Sequence, residues 1–277
     1  MRKSNSVKKT RIKKFEETFH DKWSAKEDPK KIDVMLVNEA CTAPEMRYIV
    51  KSLGGARGLR GKTILDIGCG LGEASVYFAL KGAKVTALDL SSGMLKLTSK
   101  LAKINNIKVK THLASSENFN MSPNKKFDII YAGNCLHHSN ISQTLSKIII
   151  YLKKGGIFFS WDPLQYNPLI NIYRKIATKV RTVDEHPLTY KDIKLIKRKF
   201  EKTTIKYFWF FTLVIFVFMF LFQRIDPNKE RYWKKIIYES NKWKLLYYPL
   251  EILDSIILFL VPPLRFLCWN VVIKGIK

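Results

Sequence analysis

From residue 63 to residue 161, short apolar runs closed by glycine or a carboxylate alternate with stretches whose apolar positions recur at helical spacing. The runs predict strands at about 63–67, 83–89, 107–113, 127–132 and 157–161. The intervening stretches predict three helices: one from the Gly72-Glu73 turn through Phe78-Ala79-Leu80, one with Met94, Leu95 and Leu97 on one face, and one through Leu145, Ile148, Ile149 and Leu152. This alternation implies parallel βαβ units in an α/β, doubly wound, mostly parallel sheet. Residues 15–60 read as mostly helical cover. Ser24 to Glu27 has capping-box spacing, and Gly54-Gly55 with Gly58 to Gly61 marks the entry to the first strand.

Beyond residue 162 the pattern changes. Asp162-Pro163, Asn167-Pro168 and the polar run Arg181-Thr182-Val183-Asp184-Glu185-His186-Pro187-Leu188 break the periodicity, and Thr189 with Asp192 predicts the start of a basic helix. Thr203 to Tyr207 reads as a strand. Tyr207 to Phe222 then runs for sixteen residues without a charge and holds seven phenylalanines. A charged segment, 223–244, precedes a second apolar region at 245–264, and Trp269 to Ile276 reads as a final strand.

The most informative stretch is Ile64-Leu65-Asp66-Ile67-Gly68-Cys69-Gly70-Leu71-Gly72. An apolar strand that breaks into alternate glycines lets the backbone turn tightly and approach a ligand. The next strand, Val85-Thr86-Ala87-Leu88-Asp89, ends in an acid 21 residues beyond Gly68. That spacing places a carboxylate against a ribose diol, so the pair predicts an adenosine-containing cofactor. A dinucleotide site wants a third glycine where this chain has Glu73.

Five segments in order resemble the class I S-adenosylmethionine-dependent methyltransferases: Leu65-Asp66-Ile67-Gly68-Cys69-Gly70-Leu71-Gly72, Leu88-Asp89-Leu90-Ser91 with Met94, Phe127-Asp128-Ile129-Ile130, Asn134-Cys135-Leu136-His137-His138, and Leu152-Lys153-Lys154-Gly155-Gly156. The resemblance covers about residues 40–165 and points to the small-molecule, quinone and lipid branch. It implies S-adenosyl-L-methionine as cofactor and a seven-stranded Rossmann-like sheet ending in an antiparallel hairpin. Gly68, Cys69 and Gly70 would meet the methionine part, with Asp66 orienting that loop. Asp89 would take both ribose hydroxyls, and Leu90 and Met94 would follow it. Ser116 and Glu117 would lie around the adenine, with Ser115 standing where an Asp is common. Asn134 would lie beside the sulfonium.

Methyl transfer to a hydroxyl or enol needs a proton acceptor near the sulfonium. His138 and His137 follow the fourth strand, Asp162 ends the fifth, and His186 lies in the polar loop, which makes these four the catalytic candidates. The Asn134-Cys135-Leu136-His137 sequence lacks the two prolines and aromatic that nucleobase amino-methylating relatives carry there, which disfavours a nucleic-acid substrate. Cysteines 41, 69, 135 and 268 show neither metal-ligand nor disulfide spacing, and no metal site is expected.

The net charge of +26 calls for a polyanionic partner, either nucleic acid or an anionic membrane surface. Seven of the first fourteen residues are basic, which reads as a disordered arm. Sixteen helical residues span about 24 Å, short of the roughly 30 Å of a bilayer core. Residues 223–244 carry a net +4, which opposes their export. The apolar region therefore reads as a monotopic insertion or a cap over the site. The expected organisation is a basic arm and helical cover (1–45), a cofactor-binding core (46–207), an apolar helical insertion (208–266) and a final strand (267–277). The expected protein is a cytoplasmic methyltransferase, peripheral at the inner face of a membrane, acting on a small lipophilic acceptor. An RNA methyltransferase and a non-catalytic basic binding module are the alternatives.

Overall fold

The computed structural model describes residues 2–180 and 185–277, with side chains from Lys13 onward. The strands are β1 (Thr63–Ile67), β2 (Lys84–Asp89), β3 (Lys110–Leu113), β4 (Phe127–Gly133), β5 (Leu152–Pro163), β6 (Lys202–Phe208) and β7 (Asn270–Ile276). The helices are α1 (Arg2–Ser24), α2 (Val34–Glu39), α3 (Pro44–Ser52), α4 (Ala56–Leu59), α5 (Glu73–Leu80), α6 (Ser92–Ile104), α7 (Ile141–Tyr151), α8 (Pro168–Ile176), α9 (Tyr190–Lys197), α10 (Val214–Leu221), α11 (Tyr232–Tyr238) and α12 (Ser240–Leu260). The sheet order is β3-β2-β1-β4-β5-β7-β6. The first five of these strands pair in parallel, and β7 runs antiparallel between β5 and β6. The doubly wound α/β sheet and its closing hairpin thus stand as expected.

Both faces of the sheet are buried, and the alternation along each strand sorts its residues between them. Leu65, Ile67, Ile130, Phe158, Val271 and Ile273 pack with Leu145 and Ile148 of α7 and Ile193 and Ile196 of α9. Ile64, Val85, Ile129, Phe159 and Val272 pack on the other face with Val76 and Phe78 of α5, Leu97 and Leu101 of α6, and Met46 and Ile49 of α3. The predicted start of α9 is present in full: Asp192 N donates to Thr189 Oγ1, and Thr189 N donates to Asp192 Oδ2 at 2.9 Å.

Two expectations at the N-terminus are corrected. The basic arm is not a disordered tail. No glycine or proline interrupts residues 2–24, and α1 is a continuous helix whose C-terminal turns are tied down. Asp21 Oδ1 accepts from Ser91 Oγ (2.5 Å) and Gly93 N (2.9 Å), which fastens α1 to the N-terminus of α6. Ser24 does not open a helix either: its hydroxyl donates to Asp21 O at the end of α1.

Between β6 and β7, α10, α11 and α12 pack with α8 around a core of their own that includes Ile170, Trp209, Phe216, Tyr232, Ile236 and Tyr247. Buried Asp254 of α12 holds the turn before α10. It accepts from Phe210 N (3.0 Å), Phe211 N (2.5 Å) and Thr212 Oγ1 (2.8 Å). Hydrogen bonds to a charged group contribute about 1.5–3 kcal/mol each, and orphaned donors add a desolvation cost. Asp254→Ala is therefore expected to lower stability by about 3 kcal/mol and the melting temperature by roughly 6–12 °C. A thermal melt within about 1 °C of wild type would contradict that role. No helix of the described residues is long and apolar enough to cross a membrane.

Candidate active site

The glycine stretch turns at the C-terminal end of β1. Gly68, Gly70 and Gly72 have φ of +69°, +54° and +85°, the left-handed region that glycine enters without steric cost. At Gly68 there is also no room, because a Cβ would lie 2.5 Å from Cys135 Sγ. The loop is fastened to the end of β2: Gly68 N and Cys69 N donate to Leu88 O at 2.8 and 3.1 Å. Asp89 accepts from Gly70 N through Oδ2 and from Ser91 N through Oδ1, both at 2.9 Å. Burial pushes the Asp89 carboxyl up to about 6, against the opposing effect of those amide bonds. Burial likewise raises Asp66 to about 7, although Ser75 Oγ donates to it at 2.6 Å.

The loop opens into a cavity of about 360 Å³. Of the sequence-predicted binding residues, Asp66, Gly68, Cys69, Gly70, Asp89, Leu90, Ser116, Glu117 and Asn134 line it. Met94 does not: it is fully buried in the first turn of α6, where its amide takes Ser91 Oγ as the helix cap. Glu117 accepts from Asn140 N at 2.8 Å and pairs with Lys13 of α1. Asn134 sits at φ +54° just past β4, its N–H bonded to Trp161 O.

His137 and His138 share a single 3-10 turn after β4, their ring centroids 4.0 Å apart, and both line the cavity. Behind them Asp162 is fully buried near the end of β5, one strand over. Its Oδ1 lies 2.9 Å from His137 Nδ1 and accepts from His137 N at 3.2 Å. This contact favours the tautomer with the proton on Nδ1, which leaves Nε2 as the basic nitrogen. His138 Nδ1 lies 3.0 Å from Glu16 Oε1 of α1. Burial raises the Asp162 carboxyl well above its usual range.

The fourth candidate is placed elsewhere. The His186 side chain is exposed and outside the cavity, and its backbone N–H bonds His137 O at 2.9 Å. Of the polar loop in which it lies, Arg181, Thr182, Val183 and Asp184 fall outside the described residues, whereas Glu185 lines the cavity. No metal site was expected from the sequence. Nevertheless His137, His138 and Glu185 each bring a ligand atom to within 4.8 Å of the other two, which is spacing for one divalent cation.

Much of the cavity wall was not legible as such. Glu16, Phe19, His20 and Trp23 of α1 line it, as do Trp161, Trp209, Trp233 and Trp269. Five of the six tryptophans of the chain therefore face one cavity. Burial and the neighbouring His138 lower His20 to about 4, so its ring is neutral near pH 7. Glu45 and Asn270, also on this wall, belong to segments in which the sequence shows no motif.

Among protein families, the one described as "Methyltransferase domain" matches residues 64–156. The ubiquinone biosynthesis O-methyltransferase of Rickettsia canadensis is 26% identical over 156 residues, 55% of this chain and 62% of that protein. Its counterpart in Aromatoleum aromaticum is 37% identical over 105 residues, 37% of this chain and 45% of that protein. The chain thus spans less than two thirds of the length of these relatives. The phosphoethanolamine N-methyltransferase 2 of Haemonchus contortus, solved with S-adenosyl-L-methionine, superposes with a TM-score of 0.51 at 18% identity. That match covers 79% of this chain and 49% of the other, a likeness of fold.

Proposed function

We propose, from the match of residues 64–156 to the methyltransferase-domain family and from the site built on them, that the protein is a class I S-adenosylmethionine-dependent methyltransferase that methylates a hydroxyl of a small lipophilic acceptor. When bound, S-adenosylmethionine supplies the electrophilic methyl group. The chain's residues fit that cofactor: the left-handed glycine turn exposes backbone, and a buried carboxylate stands at its side. Asp89 holds the ribose diol and Asp66 steadies the loop. Gly68, Cys69 and Gly70 present backbone to the methionine part, Leu90, Ser116 and Glu117 enclose the adenine, and Asn134 flanks the methyl. His137, oriented by Asp162, takes the acceptor's proton at Nε2, and His138 positions the acceptor oxygen. Residues 46–207 and 267–277 act as the catalytic core, and 208–266 as a cap.

The observation that carries this reading is that Asp89 and His137 line one cavity, with Asp162 buried behind His137 and 2.9 Å from its Nδ1, the geometry that converts a two-molecule reaction into an aligned displacement. Incubation with methyl-labelled S-adenosylmethionine and a lipid extract tests it. Label is expected in an extractable lipophilic product. Label in added RNA would favour the RNA-methyltransferase reading, and no transfer at all would favour a non-catalytic binding module.

The acceptor's lipophilicity is inferred from the cap. Phe222, Leu245 and Phe259 are 72%, 89% and 77% exposed, and Phe220, Leu221, Ile252, Ile256 and Leu260 beside them are exposed too. An apolar surface of this kind on a chain of net charge +26 suits peripheral attachment to an anionic membrane, at the cytoplasmic face. The protein is expected to float with vesicles containing phosphatidylglycerol. Burying a phenylalanine contributes about 1.5–3 kcal/mol, so Phe222→Glu with Phe259→Glu should lower the partition coefficient at least about tenfold. An unchanged bound fraction would refute the attachment.

A further inference from the structure

Arg231 stands immediately before α11, in the segment between β6 and β7, and its side chain is partly buried in the cavity wall. Its guanidinium lies 3.6 Å from the centroid of the Trp23 ring, near the end of α1. Trp23 Nε1 donates to Glu27 Oε1 at 2.6 Å, which fixes the ring, and Glu27 pairs with Lys234 of α11 at 3.1 Å. Three lysines and arginines line the cavity among the described residues. Lys13 pairs with Glu117, and Arg174 donates to Asn171 Oδ1 at 2.7 Å and to Leu164 O at 3.2 Å. Arg231 is the exception: among the described residues no oxygen accepts from it and no carboxylate stands within ion-pair distance. Contact with a ring leaves the N–H donors of a guanidinium available. Burial lowers the Arg231 pKa, and Glu27 opposes that only in part. A cation withdrawn from water in this way gains from an anion brought beside it.

The packing of α11 shows which end of the cavity Arg231 serves. Thr42 Oγ1 donates to Ile236 O of α11 at 3.0 Å, and Asn38 Nδ2 donates to Glu73 O at 3.2 Å. Residues 38–42 thus tie α11 to the first residue of α5, which directly follows Gly72. Burial raises the Glu73 carboxyl, and Lys234 and Glu27 are the charges that act on it. The cluster of Arg231, Trp23, Glu27 and Lys234 therefore lies at the glycine-turn end, where the methionine part of the cofactor is placed. That part carries a carboxylate. The residues assigned around it, Asp66, Gly68, Cys69, Gly70 and Asn134, include no cation, and Glu73 adds a second acid to the wall. A ligand carboxylate at this end would meet like charge unless a cation receives it. The planar fork of an arginine binds a carboxylate through two parallel hydrogen bonds.

We propose that Arg231, held against the Trp23 ring, is a cofactor-positioning residue that takes the methionine carboxylate of S-adenosylmethionine. This rests on the cofactor reading and extends it. The segment between β6 and β7, besides capping the cavity, completes the cofactor site.

Calorimetry of the full chain with three ligands tests the assignment: S-adenosylmethionine, its decarboxylated analogue, and methylthioadenosine, which lacks the amino-acid end. Arg231→Met should weaken S-adenosylmethionine about tenfold or more and the other two less than twofold, so the preference for the carboxylated cofactor falls about tenfold. Arg231→Lys keeps the charge without the fork and should lose less of that preference. A preference unchanged within twofold in Arg231→Met overturns the assignment and directs the guanidinium to an anionic group of the acceptor. An equal loss for all three ligands overturns it as well, because Arg231 would then support the cavity rather than the carboxylate. In both cases saturable wild-type binding of S-adenosylmethionine leaves the cofactor reading standing. Absence of that binding in wild type would instead remove the cofactor reading and the assignment together.

Discussion

Replacing Asp89 with alanine is expected to weaken S-adenosylmethionine binding by about 100-fold or more. Two ribose hydroxyls donating to one carboxylate contribute about 1.5–3 kcal/mol each, and every 1.4 kcal/mol is tenfold in affinity. The substitution also releases the amides of Gly70 and Ser91 that Asp89 holds at 2.9 Å, so the turn loses its anchor to β2. Asp89→Asn keeps one oxygen and should cost about tenfold. The carboxyl also sets a pH dependence. Its free-protein value is pushed up to about 6 by burial, and the ionised form accepts both hydroxyls. Affinity should therefore be full near pH 7.5 and fall as the pH drops through 6, by roughly tenfold at pH 5. Asp89→Asn should flatten that component. Calorimetry across pH reads both effects, and alanine-variant affinity within threefold of wild type would remove Asp89 from the site.

The second large effect is expected at His137. His137→Gln should lower kcat by about 100-fold or more, the low end for loss of a positioned general base, with cofactor affinity within twofold of wild type. Asp162→Asn keeps the shape of the buried pocket but loses the carboxylate beside Nδ1. It should lower kcat about as far and shift the acidic limb of the pH profile. His186→Ala should leave kcat unchanged, because its exposed side chain lies outside the cavity. Parallel losses of kcat and cofactor affinity in His137→Gln would mean that the pair serves the fold rather than the chemistry.

The core of the fold was legible because its signals are local. β1, β2, β4 and β5 are apolar runs closed by glycine or a carboxylate, and the cavity-lining part of the turn from Gly68 to Gly70 follows directly from the alternate glycines. The closing strands were readable at Thr203 to Tyr207 and Trp269 to Ile276, whereas their antiparallel pairing across the long segment between them followed from the family resemblance. The rest depends on contacts distant in sequence. Lys13 meets Glu117, and Glu16 meets His138, only because α1 lies across the mouth of the sheet. Its basic composition, taken alone, suggested disorder. Glu45 and Asn270 are separated by 225 positions and share no motif. Met94 and His186 carry the opposite lesson. Each lies close in sequence to cavity residues, yet the first turn of α6 takes Met94 into the core and the loop carries the His186 side chain outward.

Calorimetric titration of the wild-type protein with S-adenosylmethionine tests the central claim most directly. A saturable signal with about one site per chain, weakened on Asp89→Ala, is the expected result. The absence of saturable heat at millimolar cofactor, well above the range in which enzymes commonly hold their substrates, would contradict the assignment of this cavity.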